Sequence, residues 1–290
     1  MLSLENAKND SNKVNLLHNL FTLTQNNSSQ EALKYAQEAL ALSQKLNFKL
    51  LKSYDNLAWI YKNLSEQYRD KIFYSVGLHH CYVNEGYEIV IEKIETYLGS
   101  GSPPVALGEI GLDYFHLPKN HNEALSIIKN QKIAFLEQLK IAAQYNLPTI
   151  VHSRNAFLDC ITIIEQSGLP WEKVLFHCFS EGVEEIQELN DRGGYASFTG
   201  IITFKNNEFL REALQVQGIE KLILETDSPY LAPVPKRGKE NEPSYLPFIG
   251  EFLSGYLEVP AGELAQQSYC NASKFYGLEL DYFDGKQSGE

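Results

Sequence analysis

From residue 71 onward, short apolar runs alternate with longer segments in which apolar residues return every three or four positions. The runs are KIFYSVGL (71–78), PVALGEIGL (104–112), LPTIVHS (147–153), KVLFHCF (173–179), YASFTGIIT (195–203) and KLILETD (221–227). Between them lie periodic segments such as 125–145, 155–166, 182–192 and 207–217. Strand–helix alternation of this kind predicts a parallel sheet with crossover helices. Six such units at close spacing predict an α/β fold of the (β/α) barrel type rather than a small doubly wound domain.

Upstream the pattern is purely helical. In SSQEALKYAQEALALSQKLN and FKLLKSYDNLAWIYKNLSEQY the apolar residues Leu33, Ala36, Leu40, Leu50, Leu57, Ile60, Tyr61 and Leu64 recur at helical spacing. Ser28 or Ser29, with Glu31 close behind, suits a helix N-cap. The spacing predicts a helical hairpin over 28–70. Leu57-Ala58, Tyr61, Leu64 and Tyr68 after an alanine-rich helix resemble a tetratricopeptide unit, one at most, and such repeats need neighbours to bury their faces. A plain amphipathic hairpin packed on the main domain stands beside that reading. Residues 1–27 are polar and Asn-rich and are expected to be loosely ordered apart from Val14–Leu23. The expected division is therefore 1–27, 28–70, a barrel over 71–280, and a C-terminal tail over 281–290.

Composition narrows the class. Of 290 residues 43% are hydrophobic and 21% charged, which is globular rather than disordered usage. Lys plus Arg is 25 against 37 for Asp plus Glu, so the net charge is −12. A chain this acidic lacks the broad basic footprint of a non-specific nucleic-acid coat. Any phosphate-bearing substrate must be held locally, by bound cations or a small basic cluster. The four cysteines show no repeated spacing, which suggests neither a disulfide framework nor a zinc ribbon. They read as small buried hydrophobes. No apolar run approaches the roughly 18 residues of a membrane span, and residues 1–15 are too polar for a signal peptide. The expectation is a soluble, cytoplasmic protein with no membrane partner.

The ends of the apolar runs carry the chemistry. PVALGEIGLDY ends in Glu109 and Asp113, LPTIVHSR in His152, Ser153 and Arg154, KVLFHCFS in His177, and KLILETDSP in Glu225 and Asp227. The C-terminal ends of parallel barrel strands converge on one face. A single histidine at a strand end is more often a buried, hydrogen-bonded side chain than a ligand. One Glu, two His and one Asp on four different strands instead form a divalent-metal set of nitrogen and oxygen donors, suited to zinc, manganese or iron and tolerant of magnesium.

At these residues the chain resembles a known family. GEIGLDY (108–114), LPTIVHSRNA (147–156), FHCFSEG (176–182), SFTGIITFK (197–205), LETDSPYLAP (224–233) and RGKENEPSYL (237–246) are similar, in order and spacing, to the TatD family of metal-dependent deoxyribonucleases. VGLHHCYV (76–83) resembles that family's VGxHPH turn. The resemblance implies a TIM-barrel hydrolase whose two divalent ions (Mg, Mn or Zn) act on phosphodiester bonds of single-stranded DNA or DNA 3′ ends. It implies that Glu109 bridges both metals, that His152 and His177 hold one, and that Asp227 holds the other and accepts the proton of the attacking water. Bound cations also explain how an acidic protein holds DNA.

Other motif residues carry weaker assignments. Arg154 suits either a substrate phosphate or a salt bridge that fixes its loop. His79 stands where the family's turn faces the site and is assigned to substrate or phosphate. Lys205 and the Arg237-Gly238-Lys239 cluster are candidate backbone-phosphate contacts, set against ordinary solvated charge. Asn241-Glu242-Pro243 reads as a loop-fixing element. His116 and His121 read as surface residues.

One departure matters. Family members begin with a strand carrying D-x-H-x-H, whose two histidines complete one metal site. This chain has no H-x-H before residue 79, and the nearest candidate is VNLLHNLF (14–21), a possible strand with the lone His18. The barrel is therefore expected to be incomplete at its N-terminal end, with one metal site intact in sequence. Two rivals to the nuclease follow: a related barrel hydrolase acting on an amide or ester, and a catalytically silent scaffold whose helical hairpin binds a protein partner.

Overall fold

The computed structural model describes residues 11–25, 28–46, 62–64, 72–83 and 86–278. The chain divides into two compact units, Met1–Val76 with Thr96–Pro104, and Gly77–Glu95 with Val105–Glu290.

In the first unit, helix α1 (Ser11–Thr24) packs on helix α2 (Ser29–Leu46). Val14, Leu17 and Phe21 recur at helical spacing and are buried. Ala32, Ala36 and Ala39 line the facing side of α2 and are fully buried, small enough to let the two helices approach closely. The Ser28 hydroxyl accepts from the Glu31 amide at 3.4 Å, the N-cap the sequence suggests. One expectation needs correcting. The VNLLHNLF segment is helix, not strand, because its apolar residues follow a helical period rather than alternating. Val14–Leu23, set apart from the looser residues around it, falls within α1 and supplies the partner of α2. The remainder of the expected hairpin, including most of the tetratricopeptide-like positions, falls outside the described residues, although Leu64 packs against Phe21, Ala32 and Ala36. This unit also holds the short strand β1 (Ser75–Val76).

The second unit carries the alternating pattern. Its strands are β2 (Ala106–Asp113), β3 (Thr149–Arg154), β4 (Val174–Phe176), β5 (Tyr195–Phe198) and β6 (Ile223–Leu224). They pair in parallel with their neighbours in chain order. Helices α4 (His121–Tyr145), α5 (Phe157–Ser167), α6 (Val183–Arg192) and α7 (Glu208–Gln217) fill the four expected positions, α3 (Glu88–Leu98) precedes β2, and α8 (Leu246–Leu257) and α9 (Ala261–Tyr276) close the unit. The fold is α/β and TIM-barrel-like, with fewer than the eight strands of a full barrel among the described residues.

Strand ends leave backbone groups without a ladder partner, and buried groups of that kind must find one elsewhere. Glutamines from the packed helices supply it. Gln138, 1% exposed, accepts from the Leu78 amide at 2.6 Å and donates to the Leu78 carbonyl at 3.1 Å. Gln217 does the same for Ala196 at 2.9 and 3.0 Å. Gln131 accepts from the Asp113 amide at 3.1 Å. The Gln138 and Gln131 clamps fix backbone beside His79 and at Asp113, and the Gln217 clamp steadies β5.

Two glycines bring β2 and β3 together around Glu109. Gly111 pairs with His152 and has φ +146°, and a Cβ there would lie 2.0 Å from the His152 carbonyl oxygen. A Cβ on Gly108 would lie 2.6 Å from Cβ of Ile150. Only glycine fits either place.

Candidate metal centre

Register explains why the ionisable residues converge. Val151 pairs with Phe176, and Phe198 with Leu224. His152 and His177, the next residues of β3 and β4, therefore emerge in step just past the buried layer, and the ladder continues through the His177 amide to the Val151 carbonyl at 3.0 Å, while Glu225 lies two positions beyond Ile223, which stands level with His177 through Ser197.

Three imidazole nitrogens surround one oxygen of Glu109. Oε1 lies 2.6 Å from Nε2 of His177, 2.8 Å from Nδ1 of His152 and 3.2 Å from Nε2 of His79. His152 Nδ1 and His177 Nε2 are 3.4 Å apart. Bonds of about 2.0–2.1 Å in a tetrahedral shell put neighbouring donors roughly 3.3 Å apart, so these two nitrogens have the spacing of ligands on one ion. Burial would raise the Glu109 carboxyl's pKa, but the hydrogen bonds from His152, His177 and His79 hold it far below the usual range. Burial likewise disfavours a charged His177, yet Glu109 and Glu225 raise its pKa well above normal. Ring protons thus sit where a cation would neutralise the carboxylate, and the donor set fits a divalent metal.

Glu225, which the sequence places at a strand end without a role, fixes His177 from behind. Its Oε2 lies 3.6 Å from His177 Nδ1, while Oε1 accepts from the Cys178 amide at 2.5 Å and from the Ser197 hydroxyl at 2.7 Å. Burial opposes its charge, but His177 and these donors keep its pKa low. A carboxylate on Nδ1 leaves Nε2 facing Glu109, the arrangement that orients metal-binding histidines.

Asp227 follows two residues later with φ +54°. Burial raises its pKa to about 6; the neighbouring His177 opposes the shift, while Glu225 and Glu109 add to it. Its carboxylate therefore feels the Glu109 cluster, and it makes no side-chain hydrogen bond among the described residues. Asn241 steadies this loop by donating to the carbonyls of Thr226 and Tyr230 at 2.7 and 2.5 Å, consistent with the loop-fixing role read from the sequence.

His79 opens a short 3₁₀ turn (His80–Tyr82), its Nδ1 accepting from the Cys81 amide at 3.2 Å. Burial lowers its pKa, but Cys81 and Glu109 outweigh that and raise it to about 9. His80, unassigned from sequence, packs under it and stacks on His152 with ring centroids 4.1 Å apart. Burial, reinforced by His79 and His152, lowers the His80 pKa to about 3, so the ring is neutral. The signal for His80 is the doubled histidine in VGLHHCYV, and for Asp113 and Glu225 their places at strand ends.

The cationic candidates stand apart from this cluster. Arg154 is exposed, lies 4.0 Å over the Phe115 ring, and has no carboxylate partner among the described residues. Lys205 is exposed, and Arg237, also exposed, lies 4.3 Å over the Phe204 ring. No contact among the described residues joins these three to Glu109. His121 is exposed, as expected. His116 is exposed too but reaches Asp113 Oδ2 at 3.2 Å. Of the cysteines, expected to be buried, only Cys160 is; Cys178 and Cys270 are half-buried, Cys81 is exposed, and all four are free. Cys81 is carried out to solvent by the turn that His79 caps.

The chain is similar to known proteins in sequence and in fold. A family described as TatD related DNase matches residues 17–277. The metal-dependent hydrolase YcfH of Escherichia coli (strain K12) is 36% identical over 211 residues, 73% of this chain and 76% of that one. The 3'-5' ssDNA/RNA exonuclease TatD of Escherichia fergusonii is 34% identical over 218 residues, 69% of this chain and 80% of that one. Among solved structures, YJJV, a TatD homolog from Escherichia coli K12, superposes with a TM-score of 0.68 at 25% identity, covering 77% of this chain and 83% of the other.

Proposed function

The chain belongs to the TatD-related DNase family of metal-dependent hydrolases, and from that premise we propose that it hydrolyses phosphodiester bonds of DNA, acting at 3′ ends of single strands. The observation that carries the reading is the ring of His79, His152 and His177 nitrogens within 3.2 Å of Glu109 Oε1. Glu109, His152 and His177 would hold a divalent ion, whose chemistry is to neutralise phosphate charge and acidify bound water. Asp227, with its pKa raised to about 6, is suited by its electrostatics to take the proton of that water near neutral pH. His79, with Nε2 beside Glu109, stands where a phosphate of the substrate would approach the ion. Arg154, Lys205 and Arg237 are the exposed cations available to the strand. The similarity to a protein named as an ssDNA/RNA exonuclease supports a nucleic-acid substrate.

The absent H-x-H favours a second reading, a catalytically impaired barrel that binds without cutting. One experiment separates them: metal per chain, and release of nucleotides from 3′-labelled single-stranded DNA with Mg²⁺ or Mn²⁺, for the natural protein and Glu109→Ala. The nuclease reading expects at least one ion and activity that disappears in the variant. Equal trace activity in both, with no bound metal, overturns it.

A further inference from the structure

Five of the seven histidines, His79, His80, His116, His152 and His177, lie on two carboxylate oxygens. Glu109 Oε1 takes three ring nitrogens, as described. Asp113 Oδ2 takes another three: His116 Nδ1 at 3.2 Å, His80 Nε2 at 3.5 Å and His152 Nε2 at 3.5 Å. His152 belongs to both groups, with Nδ1 towards Glu109 and Nε2 towards Asp113.

The two groups differ in kind. Around Glu109 the two shortest contacts have hydrogen-bond lengths. Around Asp113 the two histidine contacts at 3.5 Å are longer than the 2.7–3.2 Å of a protein N–H···O bond. They are close to the roughly 3.3 Å that separates donors in a tetrahedral shell of about 2.0–2.1 Å bonds. His152 Nε2 is buried without a hydrogen-bond partner, a rarity that calls for an explanation. The side chains of His80 and Asp113 are 3% and 5% exposed, so neither is an ordinary surface pair. The ligand atoms of His80, Asp113 and His152 all lie within 4.8 Å of one another.

We propose that His80 Nε2, Asp113 Oδ2 and His152 Nε2 form a second cation site, distinct from the Glu109 centre and joined to it through the His152 ring. Two nitrogens and one carboxylate oxygen select zinc or a similar borderline ion over magnesium. Cys81 Sγ, 3.1 Å from His80 Nε2 and on the exposed side, adds a soft donor where the shell opens to solvent. A neutral imidazole has one free lone pair. When both ions are present His152 is an imidazolate, and its ring proton has passed to water. Ions on the two nitrogens of one ring stand roughly 6 Å apart, beyond the roughly 3.5–4 Å of a bimetallic phosphate clamp. The second ion therefore fixes and tunes His152 rather than gripping substrate. His80 and Cys81 occupy the Pro-His positions of the VGxHPH turn, so the site belongs to this chain's own sequence.

The test is cadmium NMR on the full chain with isotope-labelled histidine, loaded with cadmium and freed of excess. The expected result is two cadmium resonances, one coupled to His177 and to Nδ1 of His152, the other to Nε2 of His80 and Nε2 of His152. Asp113→Asn, close in size to the natural residue, is expected to weaken the second resonance's ion at least tenfold and leave the first in place. A cadmium spectrum with no coupling to His80 overturns the site while leaving the Glu109 centre standing. Unchanged affinity in a folded Asp113→Asn chain overturns it as well. No bound cadmium at all sinks both centres.

Discussion

The Nε2 atom of His177 lies 2.6 Å from Oε1 of Glu109, and its other nitrogen lies 3.6 Å from Oε2 of Glu225. The imidazole is gripped between two carboxylates with different work. Glu109 is shared by three rings and would face the ion, whereas Glu225 is tied down by the Cys178 amide and the Ser197 hydroxyl and faces only His177. Glu225→Gln keeps the shape and removes the charge that fixes the His177 tautomer. The expected loss is roughly 10–100-fold in metal affinity, the usual effect of removing such a partner. Isothermal titration with zinc checks it. An affinity equal to that of the natural protein would show that the Ser197 and Cys178 contacts, and not His177, are what Glu225 serves.

Gln138 is the corresponding fixture for the turn that bears His79 and His80. It satisfies both the amide and the carbonyl of Leu78, next to His79, from inside the protein. In Gln138→Leu both backbone groups lose their partner in a buried place, at about 1–3 kcal/mol for each group left unpaired. The expected outcome is a fall in stability of about 2–6 kcal/mol, together with weaker metal binding, because His79 and His80 are no longer held. Gln217→Leu carries a similar stability cost at Ala196 but is remote from that turn, so its metal affinity should stay within about twofold. Urea unfolding and metal titration on the pair distinguish the two. Equal affinity losses in both would mean that general loosening, rather than the Leu78 clamp, governs the centre.

These contacts show which parts of the molecule are legible in the sequence. The strand–helix alternation locates β2 to β6 and helices α4 to α7, because a buried parallel strand and an amphipathic helix leave different periods in the chain. The sequence also names Glu109, His152 and His177, which meet at one oxygen: His152 and His177 follow buried runs in matched register, and Glu109 reaches them from within β2, two positions before the Gly111–His152 pair. Asp113, His80 and Glu225 receive no role from it. Asp113 meets His80 and His152, and Glu225 meets His177, only once separate strands and turns are folded together. No short-range pattern marks such pairings. The segment around His18 reads ambiguously for a different reason. Its polar residues dominate composition, while Val14, Leu17 and Phe21, which decide its helical packing, are few.

Asp227 makes the thermal stability of the metal-free protein depend on pH in a defined direction. Its pKa rises from an ordinary 3.8 to about 6 on folding, chiefly through burial, against which His177 acts, with Glu225 and Glu109 adding to the rise. The folded state therefore favours the protonated form. This contribution is fully present below the ordinary value and is lost as pH rises through about 6. A bound cation reverses the preference, because a ligating carboxylate must be ionised. The gap in Tm between zinc-loaded and metal-free protein should widen from about pH 5 to about pH 7, by about 3–5 °C, because at pH 5, one unit below a pKa of about 6, protonation withholds about 1.4 kcal/mol from binding. In Asp227→Asn the widening should shrink. A gap independent of pH in the natural protein, measured by scanning fluorimetry, would remove Asp227 from the metal's surroundings.

Under the proposed function, the acidic charge of the chain bears on how a DNA strand would be held. With a net charge of −12, attraction to a strand must come from the bound ion and from a few exposed cations. Lys205 and Arg237 stand on either side of Phe204: Lys205 follows it in sequence and Arg237 lies 4.3 Å over its ring. Each phosphate contact on a single strand contributes about 0.7 to the slope of log affinity against log salt. Lys205→Ala and Arg237→Ala should each reduce that slope by about one contact, roughly 0.7, and raise the KM for 3′-end cleavage severalfold at unchanged kcat. Neither side chain belongs to the Glu109 cluster, so bound metal per chain should be the same in both variants. Fluorescence anisotropy with a labelled oligonucleotide across a salt series gives the slope. Slopes identical to that of the natural protein would assign both cations to solvated surface and leave the metal centre alone to hold the strand end.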